Sequence, residues 1–148
     1  MIEPARSLHV AVAAIVSADG RVLISRRPER VHQGGLWEFP GGKVEPGEDT
    51  ETALARELQE ELAITPTQTA PLVQVHHDYP DLSVFLDVLL VSSFEGEPHG
   101  AEDQPLRWVT AAQLDTLDFP AANRPILDAV KPLLTDSESA RNGSGVAG

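Results

Sequence analysis

Residues 42–64, with the sequence GKVEPGEDTETALARELQEELAI, contain the feature that decides the fold. A loop ending in helix-capping residues leads into residues 51–62, which contain neither Gly nor Pro. Leu54, Leu58 and Leu62 follow one another at a spacing of four, so they lie on one face of a helix. The sequence therefore predicts an amphipathic helix over residues 51–62, with its leucines buried.

The same stretch carries a high density of acidic side chains. Between residues 42 and 61, seven acids face two bases, a local charge of −5 (2 − 7), so repulsion is built into the segment. At about 100° per residue, Glu57, Glu60 and Glu61 share one stripe beside the leucines. Such acids repel one another and oppose the helix dipole, so local stability does not explain them. Two interpretations follow: a site for Mg²⁺ or Mn²⁺, which prefer carboxylate oxygens, or a solvated surface helix.

Arg56 is the one base within this acidic helix. It precedes Glu60 by four residues, one helical turn, and clustered acids need a cationic partner. We therefore expect the guanidinium of Arg56 to orient the carboxylate of Glu60.

The rest of the chain is dominated by predicted strands. Two of them, residues 8–17 and 21–25, are expected to form a β-hairpin around the turn Ala18-Asp19-Gly20. The other predicted elements are strands at 36–39, 72–77, 82–94 and 106–109, a helical turn at 110–114 and an amphipathic helix at 123–134. Strands that flank helices in mixed order favour an α/β fold with a mixed sheet packed between helices.

Length, composition and charge limit the class of protein. The chain has 148 residues, enough for one domain, and no apolar run long enough to span a membrane. Since it has no cysteine, any metal must have oxygen or imidazole ligands. A net charge of −12 disfavours binding to nucleic acid polymers but permits a polyphosphate held through divalent cations.

The two ends of the chain carry further expectations. The N-terminal residues lack the pattern of a secretory signal peptide, so a cytoplasmic protein is expected. The domain is expected to span residues 1–134. Residues 135–148 are polar and rich in Gly and Ser, which predicts a disordered C-terminal tail.

The order of residues around the acidic helix resembles the signature of the Nudix hydrolases, GX5EX7REUXEEXGU, in which U is aliphatic. Eight of its nine fixed positions match, from Gly42 and Glu48 through residues 56–61 to Ile64. Six of these are specific Gly, Glu or Arg residues, so coincidence at a given start is on the order of one in a hundred million. The departure is Ala63, where the family has Gly. An alanine held in the left-handed conformation that ends many helices costs about 1–2 kcal/mol.

Beyond the signature, nearly the whole ordered chain resembles the MutT type of Nudix hydrolase, the 8-oxo-dGTP diphosphatases. The matching stretches are 25–27, 38–43, 56–61, 95–98, 100–105 and 118–123. The resemblance implies a Nudix-type α/β/α sandwich and hydrolysis of a nucleoside triphosphate to the monophosphate and pyrophosphate. It also implies Mg²⁺ as cofactor, with Mn²⁺ as a substitute, and a monomeric protein whose partner is the nucleotide, with no nucleic acid polymer and no membrane.

The resemblance further implies roles for particular residues around the metal. It makes Glu57, Glu60 and Glu61 metal ligands or activators of water, next to Arg56, and we favour Glu57 as the general base. Further metal ligands are implied at Gly41, through its backbone carbonyl, and at Glu102, through its carboxylate.

Three positions match the base pocket of the MutT type, Arg27, Phe39 and Asn123, and Lys43, in the matching stretch 38–43, is a fourth expected substrate-binding residue. Simpler explanations exist for three of them: a solvated charge for Arg27, a core residue for Phe39 and an ordinary helix N-cap for Asn123. In the MutT type a basic residue occupies the position of Leu82, so one contact near the base is expected to be missing.

Three functions are compatible with these features. The first is hydrolysis of oxidised purine nucleoside triphosphates, which sanitises the nucleotide pool and prevents mutation. The second keeps this chemistry but acts on cytidine-type or other noncanonical triphosphates. The third is a catalytically idle nucleotide or metal sensor, which the complete carboxylate set disfavours because a pure binder needs no acid that activates water.

Overall fold

The computed structural model describes residues 6–27 and 34–134. The strands are β1 (Arg6–Ile15), β2 (Val22–Arg26), β3 (Trp37–Glu38), β4 (Gly41–Lys43), β5 (Thr65–Tyr79), β6 (Leu82–Glu95) and β7 (Leu106–Val109). The α-helices are α1 (Thr50–Leu62), α2 (Ala111–Leu114) and α3 (Arg124–Val130), with 3₁₀ turns at Ala121–Asn123 and Lys131–Leu133. The predicted tail, residues 135–148, lies outside the described residues. None of the described helices is long and apolar enough to cross a membrane.

The strands form two sheets. The larger has four strands in the order β4-β1-β6-β5. It is mixed, because β1 runs parallel to β6 while the β1–β4 and β5–β6 pairs are antiparallel. The smaller is antiparallel, in the order β3-β2-β7. The predicted mixed sheet is therefore confirmed, and a second sheet accompanies it.

Two hydrophobic clusters lie on opposite faces of β1. Ala11, Ala13 and Ile15 pack in one cluster with the leucines of α1, whereas Val12 and Ala14 pack in the other with α3. Successive residues of a strand point to opposite faces, so β1 serves both clusters. The leucines of α1 are fully buried, at 0% exposure, as their spacing predicts. The mixed sheet is thus packed between α1 and α3.

The predicted β-hairpin of residues 8–17 and 21–25 is wrong in its pairing. Its turn exists, since the Ser17 amide donates to the Arg21 carbonyl at 2.8 Å, but beyond it only Val16 and Val22 form a bridge. A strand has two edges, and those of β1 are taken by β6 and β4. β2 therefore diverges into the smaller sheet.

Two other predicted boundaries differ from the structure. β5 begins at Thr65 and passes through Pro66 and Pro71, a stretch that resembles a loop in the sequence. An edge strand tolerates proline, and register shifts near both prolines relieve the pairing. The predicted helix at 123–134 is divided into α3 and its two flanking 3₁₀ turns, of which the second contains Pro132.

Ala63 ends α1 in the left-handed conformation, with φ 59° and ψ 37°. Its amide donates to the Gln59 carbonyl at 3.1 Å, and the Ile64 amide donates to the Leu58 carbonyl at 3.4 Å. These bonds close the helix end at the position where the family signature has Gly. An L-residue with a Cβ is strained there, whereas glycine is not.

We therefore expect Ala63→Gly to raise the free energy of unfolding by about 1 kcal/mol, because relief of strain exceeds the entropy that glycine adds to the unfolded chain. Urea unfolding of the metal-free protein measures this change in the free energy of unfolding. Ala55→Gly, in the middle of α1, is the matched control and should lower stability by about 1 kcal/mol. If both variants lose stability alike, Ala63 is not strained.

Candidate active site

Arg56 joins the loop before α1 to the acidic stripe on the helix. Its Nε and Nη2 donate to the two carboxylate oxygens of Glu48, each at 2.9 Å, and its Nη1 donates to Glu57 Oε2 at 2.8 Å. This forked geometry is the strong form of a charge-assisted hydrogen bond. The expected i,i+4 pair of Arg56 with Glu60 is present but longer, with Glu60 Oε1 at 3.7 Å from Nη1, so the hydrogen bonds of Arg56 go to Glu48 and Glu57. The loop before α1 brings the Glu48 carboxylate closer to the guanidinium than the helix brings that of Glu60.

The hydrogen bonds between Arg56 and Glu48 keep both side chains charged. Hydrogen bonds from Arg56, and then from the Glu45 amide, lower the pKa of Glu48 to about 2. Hydrogen bonds to Glu48 and Glu57 in turn raise the pKa of Arg56 above its usual value. The pair is ionised at any pH near neutrality, so it can hold Glu57 in place without titrating itself.

The two glycines of β4 allow a carboxylate and two strands to approach closely. A Cβ on Gly42 would lie 2.3–2.6 Å from the carboxylate atoms of Glu57, and a Cβ on Gly41 would lie 2.0 Å from the Ala11 carbonyl oxygen. Any side chain at Gly42 would displace Glu57. The glycine pair therefore makes the cradle in which the Glu57 carboxylate lies, between α1 and β4.

Four carboxylates from three parts of the chain interact beside this cradle: those of Glu38, Glu57, Glu61 and Glu102. Burial is the main cause that raises the pKa of Glu61 to about 9, followed by a hydrogen bond and charge repulsion from Glu57 and then by the charges of Glu38 and Glu102. Burial also raises the pKa of Glu38, against the lowering effect of its partner Arg27. In the metal-free protein Glu61 therefore holds a proton near neutral pH.

A divalent cation fits the donor chemistry of this group, since crowded carboxylate oxygens are hard ligands that lack sufficient positive charge of their own. Within residues 6–27 and 34–134, no three acidic or histidine side chains already converge closely enough to hold a metal ion. To bind an ion, these side chains would therefore have to close around it. Glu60 is much more exposed than Glu57, with 58% of its side chain exposed against 17%.

An open cavity of about 280 Å³ adjoins the carboxylates. The structure brings Gly41 to its wall together with all four residues expected to bind substrate, namely Arg27, Phe39, Lys43 and Asn123. The other lining residues include apolar side chains from β1, β6 and α3, namely Val10, Val12, Val84, Leu86 and Ile126. A cavity lined by apolar side chains together with a few polar groups is typical of a small-molecule site.

The structure also tests the simpler explanations for these residues. Arg27 is not a solvated charge, because its Nη1 donates to Glu38 Oε1 at 2.9 Å. Phe39 is a core residue, 5% exposed and stacked on Phe119 with ring centroids 5.5 Å apart, yet it also lines the cavity. Asn123 makes no side-chain capping hydrogen bond to α3, so its interpretation as an ordinary N-cap is wrong.

Two residues at this site were missed by sequence reasoning. Glu38 lines the cavity and pairs with Arg27; its signal was a charge between two aromatic residues in a strand. Tyr79 also lines the cavity, at the end of β5 where it pairs with Leu82. Its only signal was the register of β5 with β6, which the sequence does not reveal.

Comparison with known proteins agrees with the signature in α1. Residues 11–129 match the family model described as the NUDIX domain. The chain belongs to the Nudix family. Among its relatives, the 8-oxo-dGTP diphosphatase of Escherichia coli K12 is 40% identical over 128 residues, covering 86% of this chain and 99% of that protein. The CTP pyrophosphohydrolase of the same strain is 37% identical over 122 residues, covering 82% of this chain and 90% of that protein.

The fold has solved counterparts among MutT proteins. A structure from work on MutT of Aliivibrio salmonicida and Vibrio cholerae has a TM-score of 0.75 and 41% identity, covering 86% of this chain and 98% of that chain. The expected Nudix-type α/β fold is confirmed. The chain is a Nudix hydrolase, and enzymes of this family generally need a divalent metal.

Proposed function

We propose that this Nudix hydrolase converts 8-oxo-dGTP, and other oxidised purine nucleoside triphosphates, to the monophosphate and pyrophosphate, and so sanitises the nucleotide pool. The observation that carries the proposal is that Asn123 and Phe39 line the same cavity as Gly41 and Gly42, which form the cradle of Glu57. The identity of 40% with an 8-oxo-dGTP diphosphatase supports it.

The metal-binding residues we propose are Glu57, Glu60, Glu61 and Glu102, with the backbone carbonyl of Gly41. The ion is Mg²⁺, for which Mn²⁺ can substitute. When bound, it neutralises polyphosphate charge and makes an attacking water more acidic. Arg56 holds Glu57 against Gly42 through the 2.8 Å hydrogen bond, which positions one carboxylate oxygen as the acceptor of the water proton.

The cavity supplies the contacts to the nucleotide. Lys43 and Arg27 bring positive charge to the lining of the cavity, so a polyphosphate is repelled less by the acidic site. Glu38 fixes the guanidinium of Arg27 in place through the 2.9 Å hydrogen bond. Phe39 offers its ring to the base and is itself held by the stacked ring of Phe119.

Asn123 is proposed to read the base. An amide side chain has a donor and an acceptor side by side. Guanine offers acceptors at both O6 and N7, whereas 8-oxoguanine carries a hydrogen on N7. The amide can therefore donate to O6 and accept from N7 only when the base is oxidised.

Hydrolysis of cytidine triphosphates is the second candidate, favoured by the 37% identity with a CTP pyrophosphohydrolase. A non-catalytic sensor is disfavoured, because the carboxylate set is complete and a pure binder needs no acid that activates water. A monomeric state and a cytoplasmic location stay predictions from the sequence.

Steady-state turnover of the purified full chain against 8-oxo-dGTP, dGTP, CTP and dCTP tests the proposal. We expect pyrophosphate release to be fastest with 8-oxo-dGTP, to require Mg²⁺ or Mn²⁺ and to be weak with Ca²⁺, whose looser coordination misplaces the attacking water. Preference for CTP would replace the leading substrate by the second candidate. Turnover that persists in excess chelator would contradict the metal mechanism.

A further inference from the structure

The loop between β6 and β7, residues 96–105, is fastened to the C-terminal end of α1. The His99 amide donates to the Leu62 carbonyl at 3.1 Å, and the Ala101 amide donates to the Glu61 carbonyl at 2.9 Å. Carbonyls in the last turn of a helix have no partner within the helix and need donors from elsewhere. The loop that carries Glu102 supplies those donors, so its position is tied to that of the helix end.

Gln104 adds two hydrogen bonds through one side chain. Its Nε2 donates to the Glu61 carbonyl at 3.0 Å, and its Oε1 accepts from the Glu102 amide at 2.9 Å. These partners fix the orientation of the amide, since a carbonyl can only accept and an N–H can only donate. A single planar group therefore joins the backbone of Glu61 to the backbone of Glu102.

The loop is shaped closely around this side chain. A Cβ on Gly100 would lie 2.1 Å from the Gln104 carbonyl oxygen and 3.1 Å from its Oε1, so only glycine fits there. Asp103 has φ 63°, in the left-handed region that residues other than glycine seldom adopt. Such local strain persists only where the surrounding contacts hold it in place.

We propose that Gln104 is a positioning residue, which sets the place of the Glu102 carboxylate relative to Glu61 and thereby the affinity of the site for its divalent cation. The inference rests on the proposed function. Glu61 and Glu102 lie on different elements, and the side-chain amide of Gln104 is bonded to the backbone of both. Because these two hydrogen bonds fix the spacing of the two backbones, the ligands need less rearrangement when the ion arrives.

Gln104→Met tests the proposal, because methionine keeps the length of the side chain and removes both hydrogen bonds. Mn²⁺ titration of the full chain without nucleotide, followed by calorimetry, should show a Kd about tenfold higher, the scale expected when a group that orients a metal ligand is lost. In the metal-free protein, the amides of Ala101 and Glu102 should exchange with solvent faster than in the wild type.

Gln113→Met is the matched control. Gln113 also bonds the backbone through its side chain, accepting from the Thr110 amide at 2.9 Å in the capping box of α2, which contains no proposed metal ligand. We expect a comparable loss of stability and an unchanged Kd for Mn²⁺. The same rise in Kd in both variants would mean that loosening the fold, rather than misplacing Glu102, weakens metal binding.

A double variant separates an action through Glu102 from any other. Glu102→Gln should weaken Mn²⁺ binding by itself, and adding Gln104→Met should then change the Kd less than twofold, because the carboxylate to be positioned is already gone. Additive effects would overturn the proposal, as would a wild-type Kd in Gln104→Met. Gln104→Asn, too short to reach both partners, replaces the Met variant if that variant does not unfold cooperatively. Failure of the wild type to bind Mn²⁺ would instead contradict the proposed function.

Discussion

Replacing Glu60 by Gln is expected to lower kcat/KM for the preferred nucleotide by at least about a hundredfold. The change keeps the shape of the side chain and removes one negative charge, and losing a key electrostatic contributor to a site costs this much. By its surroundings in the structure Glu60 resembles a surface residue, because 58% of its side chain is exposed and its ion pair with Arg56 is long, at 3.7 Å. An ordinary surface acid of this kind would be replaced without consequence.

Stability provides the second measurement on Glu60→Gln. The charge removed lies among like charges and near the negative end of the helix dipole, so the free energy of unfolding should stay within about 0.5 kcal/mol of the wild-type value or rise. Steady-state kinetics at saturating Mg²⁺ and urea unfolding together separate a lost ligand from a damaged fold.

Glu51→Gln is the control for Glu60→Gln. Glu51 lies in the first turn of the same helix and is exposed, so its loss should leave kcat/KM within about twofold of the wild type. Wild-type turnover in Glu60→Gln would mean that this part of α1 is a solvated surface and not a metal site.

The helix and its carboxylates were predictable because their pattern is local. A spacing of four fixed the buried leucines, and the residues before the helix fixed its start: Asp49 accepts a hydrogen bond from the Thr52 amide at 2.8 Å. The exit was less certain, because Ala63 stands where the signature has Gly, and the structure keeps the left-handed helix end there. Periodicity and capping act within a few residues, so one sequence is sufficient to see them.

The strand pairing was not predictable because the competing partners are distant in sequence. β1 is joined to β2 by a short turn, yet it pairs over ten residues with β6, from Arg6–Leu82 to Ile15–Val91. The long parallel ladder buries both faces of β1 between two helices, and a local hairpin cannot match this. The turn alone indicated the hairpin; the choice between the two pairings depends on tertiary packing.

The partner of Arg56 shows the same limit on a smaller scale. The helix spacing suggested Glu60, but the loop returns through Gly47, at φ 84°, and brings Glu48 within 2.9 Å of the guanidinium. The mutual effect of Glu38 and Glu102 on Glu61 likewise depends on β3 and on the loop after β6. Sequence reasoning found the residues on α1, whereas contacts between separate elements required the structure.

The place of Asn123 at the cavity could be predicted from the sequence only through family resemblance. Asn123 ends a 3₁₀ turn just before α3, and the sequence alone favoured an N-cap role equally well. In the structure the side chain makes no capping bond, and the residue lines the cavity. A polar residue that the helix does not use is free to serve a ligand.

Asn123→Ala is therefore expected to weaken binding of 8-oxo-dGTP by at least about 2 kcal/mol, roughly a thirtyfold rise in Kd, because a buried pair of hydrogen bonds is lost. Binding of dGTP should change much less, since its N7 and the amide oxygen are both acceptors. Calorimetry in Ca²⁺, where turnover is expected to be weak, measures both nucleotides on the same protein.

Arg124→Ala controls for an effect on the start of α3. Arg124 is the next residue, is exposed and lines a different cavity, so its loss should leave both affinities within about twofold. Since Asn123 makes no capping bond, Asn123→Ala should also keep the free energy of unfolding within about 0.5 kcal/mol. Sites that read a polar group in this way discriminate by up to about four orders of magnitude, because the wrong ligand leaves buried groups unpaired. Equal losses for the two nucleotides would show that Asn123 supports the wall of the cavity without reading the oxidised base.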